Sequence, residues 1–178
     1  GIKKLSHPKS AQSGNQIAAL GMLIAIVATI ATANMIDLKL IIIGMIIGSV
    51  IGLIFATKVE MTQMPQMVAI FNGFGGGASA LVAASEFLKL FDQSPLTLAA
   101  IIFSIFVGTL TFTGSFIAFG KLQGFISGQP IVFPAQQLIN ALLALLLVGI
   151  GFFVVQDPQM NYFYGVIIIS AILGITLT

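Results

Sequence analysis

Apolar residues run along this chain in six long, charge-free tracts separated by short polar breaks. The tracts fall at about 17–35, 40–57, 67–84, 96–119, 138–155 and 162–177. A helix needs roughly 20 apolar residues to cross the hydrocarbon core, whereas strands in globular proteins usually stop at about 5–6. The pattern therefore predicts an all-α, polytopic transmembrane helix bundle of about six spanning helices, in one domain over 1–178. The polar stretch 1–16 reads as a loop-like leader. Asn34 to Asp37 reads as a short turn. A second break, 57–66, carries Pro65 in the first helical turn, where a missing N–H costs little. The longest break, 120–136, is punctuated by Gly124, Gly128, Pro130 and Pro134, and is the best candidate for a surface touching a soluble partner. No unit repeats along the chain.

Composition supports the membrane reading. Of 178 residues, 58% are hydrophobic and 7% charged, against roughly 25% charged in soluble domains. Mean hydropathy is +1.12. A formal net charge of +2 argues against a nucleic-acid partner, and zero cysteines with one histidine leave no thiolate or histidine metal centre. No secretory signal peptide is legible, because the first tract is long and a lysine-bearing leader precedes it. Residue 1 is Gly, not Met, which reads as a processed or truncated chain.

Charge also predicts an orientation. Lys3, Lys4, Lys9, Lys58 and Lys121 fall on one side of the alternating breaks, and only Lys39 and Lys89 on the other. Asp37, Glu86, Asp92 and Asp157 share that second side, leaving Glu60 on the first. The positive-inside rule then puts leader 1–16 in the cytoplasm. An even number of spans brings the other chain end there too.

Small and polar residues mark helix faces. Gly44, Gly48 and Gly52 form a doubled G-x-x-x-G, and Gly73 and Gly77 repeat that spacing. Such faces let helices approach closely in lipid. Thr97, Ser104, Gly108, Thr111 and Ser115 share one face of the fourth tract. They either back-bond to their own helix and permit close packing, or line a wet path. In the third tract Asn72, Gly76, Ser79, Ala83 and Glu86 recur at steps of four, three, four and three. An amide inside a span must find hydrogen bonds. Polar residues at that depth often mark an ion or proton route, but an Asn bridging two helices explains the same residues.

The stretch from Phe71 to Ser85 has a rival reading. Gly73-x-Gly75-x-x-Ala78 fits the glycine fingerprint of a dinucleotide-binding turn, with Asp92 near the expected distance for a ribose-binding acid. The reading fails on context: Asp92 follows Phe91 in a turn before Pro95, and no strand–helix alternation follows.

Two longer motifs carry a family resemblance. Val59-Glu-Met-Thr-Gln-Met-Pro-Gln-Met-Val-Ala-Ile-Phe-Asn72 with its glycine-rich continuation, and Thr111-Phe-Thr-Gly-Ser-Phe-Ile-Ala-Phe-Gly-Lys-Leu122, resemble the membrane domain of proton-translocating nicotinamide nucleotide transhydrogenase, beta subunit. The resemblance runs from the leader to at least Asn140. It implies proton passage coupled to hydride transfer between NADH and NADP+, with NAD(H) and NADP(H) held in soluble domains and no cofactor, catalytic or metal site on this chain. It implies an alpha-subunit partner bringing further helices, an NADP(H)-binding domain of the same subunit, a dimer of the alpha–beta unit and an inner-membrane location. It also implies that a first helix and a last few of the subunit lie outside this chain.

For single residues, the resemblance places Asn72 where several members have a histidine proposed to carry the proton. An amide does not titrate near neutral pH, so Asn72 is expected to orient water while another group titrates. Ser115 matches a position implicated in the channel, and Glu60 an acid at the cytoplasmic mouth, or an interfacial carboxylate beside Lys58. Ser79 and Thr111 join them as further candidates for the path. Two other readings remain open at this point. One is a substrate-binding secondary transporter, with Gly73–Gly77 unwinding a helix at a mid-membrane site. The other is a structural membrane subunit in which the polar stripes are dispensable. His7 reads as a solvated leader residue and Asn140 as a helix-end hydrogen bonder. Tyr162 and Tyr164 read as markers of one membrane interface.

Overall fold

A computed structural model of the chain describes residues 2–32, 38–89, 93–129 and 132–178. Among the described residues there is no strand. Helices run over Ile2–Leu5 (α1), Ala11–Thr32 (α2), Leu38–Lys58 (α3), Met64–Lys89 (α4), Pro95–Leu122 (α5), Gln136–Gln156 (α6) and Met160–Leu177 (α7), with a 3₁₀ turn at Met61–Gln63 before α4. Six of them are long and apolar enough to cross a membrane. The expected turn at Asn34 to Asp37 lies outside the described residues, as do Asp92 and Pro130.

The leader departs from expectation. Residues 1–16 read as a loop, but α2 begins at Ala11, and α1 precedes it. Gln12, Ser13 and Asn15 look like loop residues because they are polar. Outside the hydrocarbon they can be solvated while their backbone stays helical. Ser10 Oγ donates to Lys4 O at 2.8 Å and Gly14 N to Ser10 O at 2.9 Å, fixing the corner between the two helices. Gly14 is needed there: a Cβ would lie 2.9 Å from Leu5 N. His7 sits in this corner, its Nδ1 3.2 Å from Ser6 Oγ.

The chain divides into two compact units, Gly1–Ala56 and Thr57–Thr178. In the first, α3 buries no residue. A Cβ at Gly44, Gly48 or Gly52 would meet nothing within 4 Å. Within this unit, among the described residues, no helix packs on that doubled glycine motif.

In the second unit α5 is the central helix. It packs against α4 and α7 and less extensively against α6, and α6 packs on α7. Its start is specified locally: Ser94 is extended (φ −60°, ψ 147°), its hydroxyl accepts from Thr97 N at 3.2 Å, and Pro95 occupies the first turn. Replacing Ser94 by Ala should cost about 1 kcal/mol, read as a lower thermal midpoint of the purified protein. An unchanged midpoint would mean that Pro95 alone sets the helix start. The α6 start is less regular. Ala135 caps it in the left-handed region (φ 61°) with no side-chain cap bond.

The core lies toward the Glu86 end of α4. Ala83, Phe87, Leu98, Ile101, Ile102, Ile105, Val154, Phe163 and Val166 form one buried cluster. Phe87 and Phe163 stack with centroids 4.6 Å apart and planes 7° from parallel. One polar side chain, Ser170, is buried nearby, and its hydroxyl returns to Val166 O within its own helix.

Candidate functional site

The polar stripes of α4 and α5 face each other. Asn72 Nδ2 donates to Ser115 Oγ at 2.9 Å across the seam. Asn72 lies eight residues into α4, about 12 Å along its axis from Met64. One turn further along α4, Gly76 meets Thr111: a Cβ on Gly76 would sit 2.7 Å from Thr111 Cβ and 2.8 Å from Gly108 O. A Cβ on Gly108 would sit 2.6 Å from Gly76 O and 2.8 Å from Ala80 N. Gly73 and Gly77 lie under the rings of Phe116 and Phe112, and Phe74 meets Phe116 edge-on at 5.5 Å. The two helices thus approach backbone to backbone at Gly76 and Gly108, while phenyl rings cover the glycines on either side.

Five residues were candidates for the path, and the seam gathers three of them. Asn72 and Ser115 bond directly, and Thr111 lies one turn away against Gly76. Ser79 is exposed. Glu60 is also exposed, in an extended residue before the 3₁₀ turn, with no cap bond from its side chain. Of the remaining stripe residues, Gly108 and Ala83 serve packing, Thr97 bonds Ser94 at 2.8 Å, and Glu86 pairs with Lys89 at 3.3 Å. The close-packing reading of the α5 stripe therefore holds for Gly108 and Thr111, while Ser115 carries a polar bond between helices.

Sequence reasoning passed over Gln66. Its Nε2 donates to Leu122 O at 3.3 Å, tying the start of α4 to the last turn of α5. Its Oε1 is enclosed, with no hydrogen-bond partner among the described residues. Gln66 precedes Gly73 by seven residues, two helical turns, and that step places it on the seam face. At the same end, Gln136 Nε2 and Asn140 Nδ2 both donate to Thr176 O, at 2.7 and 3.4 Å. Asn140 is thus a bridge from α6 to α7.

The glycine run is no nucleotide site. Gly73–Gly77 lie inside the unbroken α4, so their N–H groups are committed to the helix and cannot cradle a pyrophosphate. Nor does the run unwind the helix, which removes the feature that favoured a secondary transporter. Among the described residues no group of three or more His, Cys, Asp or Glu could hold a metal.

Chemically, the seam offers the Asn72 amide bonded to the Ser115 hydroxyl, with Thr111 one turn away and Gln66 at its end, among glycines and aromatic rings. Asn72 is exposed on this chain as a whole residue. The arrangement can hold and orient water, and it contains no group that titrates near neutral pH.

Comparison with known proteins adds a family. Residues 1–178 match the profile of a family described as NAD(P) transhydrogenase beta subunit. A protein named NAD(P) transhydrogenase subunit beta, from Rhodospirillum rubrum, is 38% identical over 143 residues, covering 76% of this chain and 31% of its own length. A second sequence of that name, from a strain of the same species, matches with the same figures. The chain spans about a third of the length of these relatives.

Proposed function

The chain belongs to the NAD(P) transhydrogenase beta-subunit family, and from that premise we propose that it forms part of the proton-conducting membrane domain of such an enzyme. Proton passage through its helices would be coupled to hydride transfer between NADH and NADP+ in soluble domains beyond this chain. The observation that carries the reading is the Asn72–Ser115 bond within the span. In hydrocarbon an exposed amide side chain must be met by water or by another helix. Asn72 and Ser115 border the route and orient its water. The proton itself is carried by a titrating side chain on another helix of the complex, histidine being the type that switches near neutral pH.

The partners follow from the same reading: alpha-subunit helices over the exposed Asn72 face, an NADP(H)-binding domain of the same subunit, and a dimer of the alpha–beta unit in the inner membrane. The lysine bias supports a cytoplasmic leader. Glu60, near Lys58 and one short turn ahead of α4, stands at the cytoplasmic mouth.

Replacing Ser115 by Ala in the complete, reconstituted enzyme tests the reading. The protons pumped per hydride transferred should fall severalfold, because Asn72 Nδ2 loses its acceptor at a cost of about 1–3 kcal/mol. An unchanged ratio would remove the pair from the route.

A further inference from the structure

Proton passage depends on where Asn72 and Ser115 sit, and the α4–α5 crossing fixes that. The closest approach is one turn from Asn72, at Gly76, and two turns from Ser115, at Gly108. Atoms that a Gly108 Cβ would strike, Gly76 O at 2.6 Å and Ala80 N at 2.8 Å, belong to the backbone of an intact helix. No rotamer change can make room. An added methyl must move the helices apart until 2.6 Å becomes an ordinary contact of 3.4 Å, a separation of about 0.8 Å. Carried rigidly along the seam, that shift takes the Asn72–Ser115 bond from 2.9 Å to about 3.7 Å, beyond hydrogen-bond range.

We infer that Gly108, seated against Gly76, is a positioning residue for proton translocation: its missing side chain sets the distance at which Asn72 meets Ser115. The inference rests on the route proposed above. Gly108 touches neither polar group and acts through helix spacing alone.

A second seam supplies the control. Gly114, adjacent to Ser115 in sequence, faces α7, where a Cβ would lie 2.9 Å from Thr178 Oγ1 and 3.1 Å from Gly174 O. Gly114→Ala therefore strains the same helix by the same methyl on its other side. Gly73→Ala is the milder seam variant. Its Cβ meets side-chain atoms, Phe116 Cδ2 at 3.1 Å and Ser115 Cβ at 3.2 Å, which can yield by a few tenths of an ångström.

The experiment uses the complete enzyme in vesicles, with Asn72→His as the reporter background. There the pH midpoint of proton pumping reads the hydrogen bonding of the new imidazole to Ser115. Adding Gly108→Ala should lower the protons pumped per hydride roughly fivefold or more, the loss expected when a hydrogen bond between the two helices is broken. It should also move the midpoint by about half a pH unit or more. Gly73→Ala should move the midpoint the same way by less, and it answers the question if Gly108→Ala does not assemble. Gly114→Ala should reduce the amount of enzyme and leave the midpoint in place. Equal midpoints in all three would overturn the inference, as would equal displacement by Gly108→Ala and Gly114→Ala. Asn72→Leu, in the same assay, separates the two levels. Normal pumping by that variant defeats the route and the inference with it. Failed pumping, with the midpoint unmoved by Gly108→Ala, defeats only the inference.

Discussion

Asn72→Leu is expected to abolish most coupled proton pumping by the complete enzyme. Leucine is close to asparagine in size, so the seam keeps its spacing. It offers neither the Nδ2 donor now bonded to Ser115 at 2.9 Å nor an amide oxygen. The Ser115 hydroxyl then lacks its partner within the span, where nothing apolar replaces it. Breaking such a bond costs about 1–3 kcal/mol. At about 1.4 kcal/mol per factor of ten in rate, that is roughly a five- to hundredfold loss. Losing the water held at the amide oxygen pushes the effect toward the upper figure. Dye-monitored acidification of vesicles, driven by added nucleotides, is the measurement. Full pumping by the leucine variant would place the route elsewhere. Helix content and yield should stay near those of the parent, because leucine is a strong helix former.

The second large effect concerns stability. Phe87→Ala should destabilise the bundle by about 3 kcal/mol, the lower end of the range for Phe truncation in cores. The figure is low because lipid tails are as apolar as the core, so no transfer from water opposes the loss. What disappears is contact. Phe87 is 1% exposed and stacks on Phe163 at 4.6 Å, and α4, α5, α6 and α7 all contribute to the cluster around it. A cavity left among helices that cannot all close on it forfeits dispersion on every side. Thermal unfolding in detergent should show the midpoint falling well below that of Ser94→Ala. An equal fall would mean the neighbours collapse into the space.

Much of this architecture was legible in the sequence, for identifiable reasons. Charged residues bracket the tracts, so the ends of α4, α5, α6 and α7 fell within a few residues of expectation. The start of α2 did not, because Gln12, Ser13 and Asn15 are polar yet helical, and hydrophobicity cannot see a helix that continues into water. The two stripes were legible as faces of single helices. That they oppose each other, Ser115 to Asn72 and Gly108 to Gly76, was not, because register depends on the crossing of two helices and no single-helix period encodes it. The glycines make the point most clearly. Gly44, Gly48 and Gly52 form the stronger motif and have nothing within 4 Å of an added Cβ, whereas Gly76 and Gly108, which share no short motif, meet across the α4–α5 seam. Small residues show that a face can be approached closely, and leave open what approaches it. Gln66 was missed because a glutamine beside a proline at a helix start looks like interface.

The stacked phenyl rings of Phe87 and Phe163 also bear on the proposed route. They sit in a patch of Ile, Leu and Val that spans the four helices of this unit on the Glu86 side of the Asn72–Ser115 bond. The lone hydroxyl buried near it, that of Ser170, is turned back onto its own helix. A proton arriving there meets mostly apolar side chains and one buried hydroxyl already committed to its own helix. That core offers no chain of polar side chains between the four helices, so on the proposed reading the path runs along the Asn72 face and not through it.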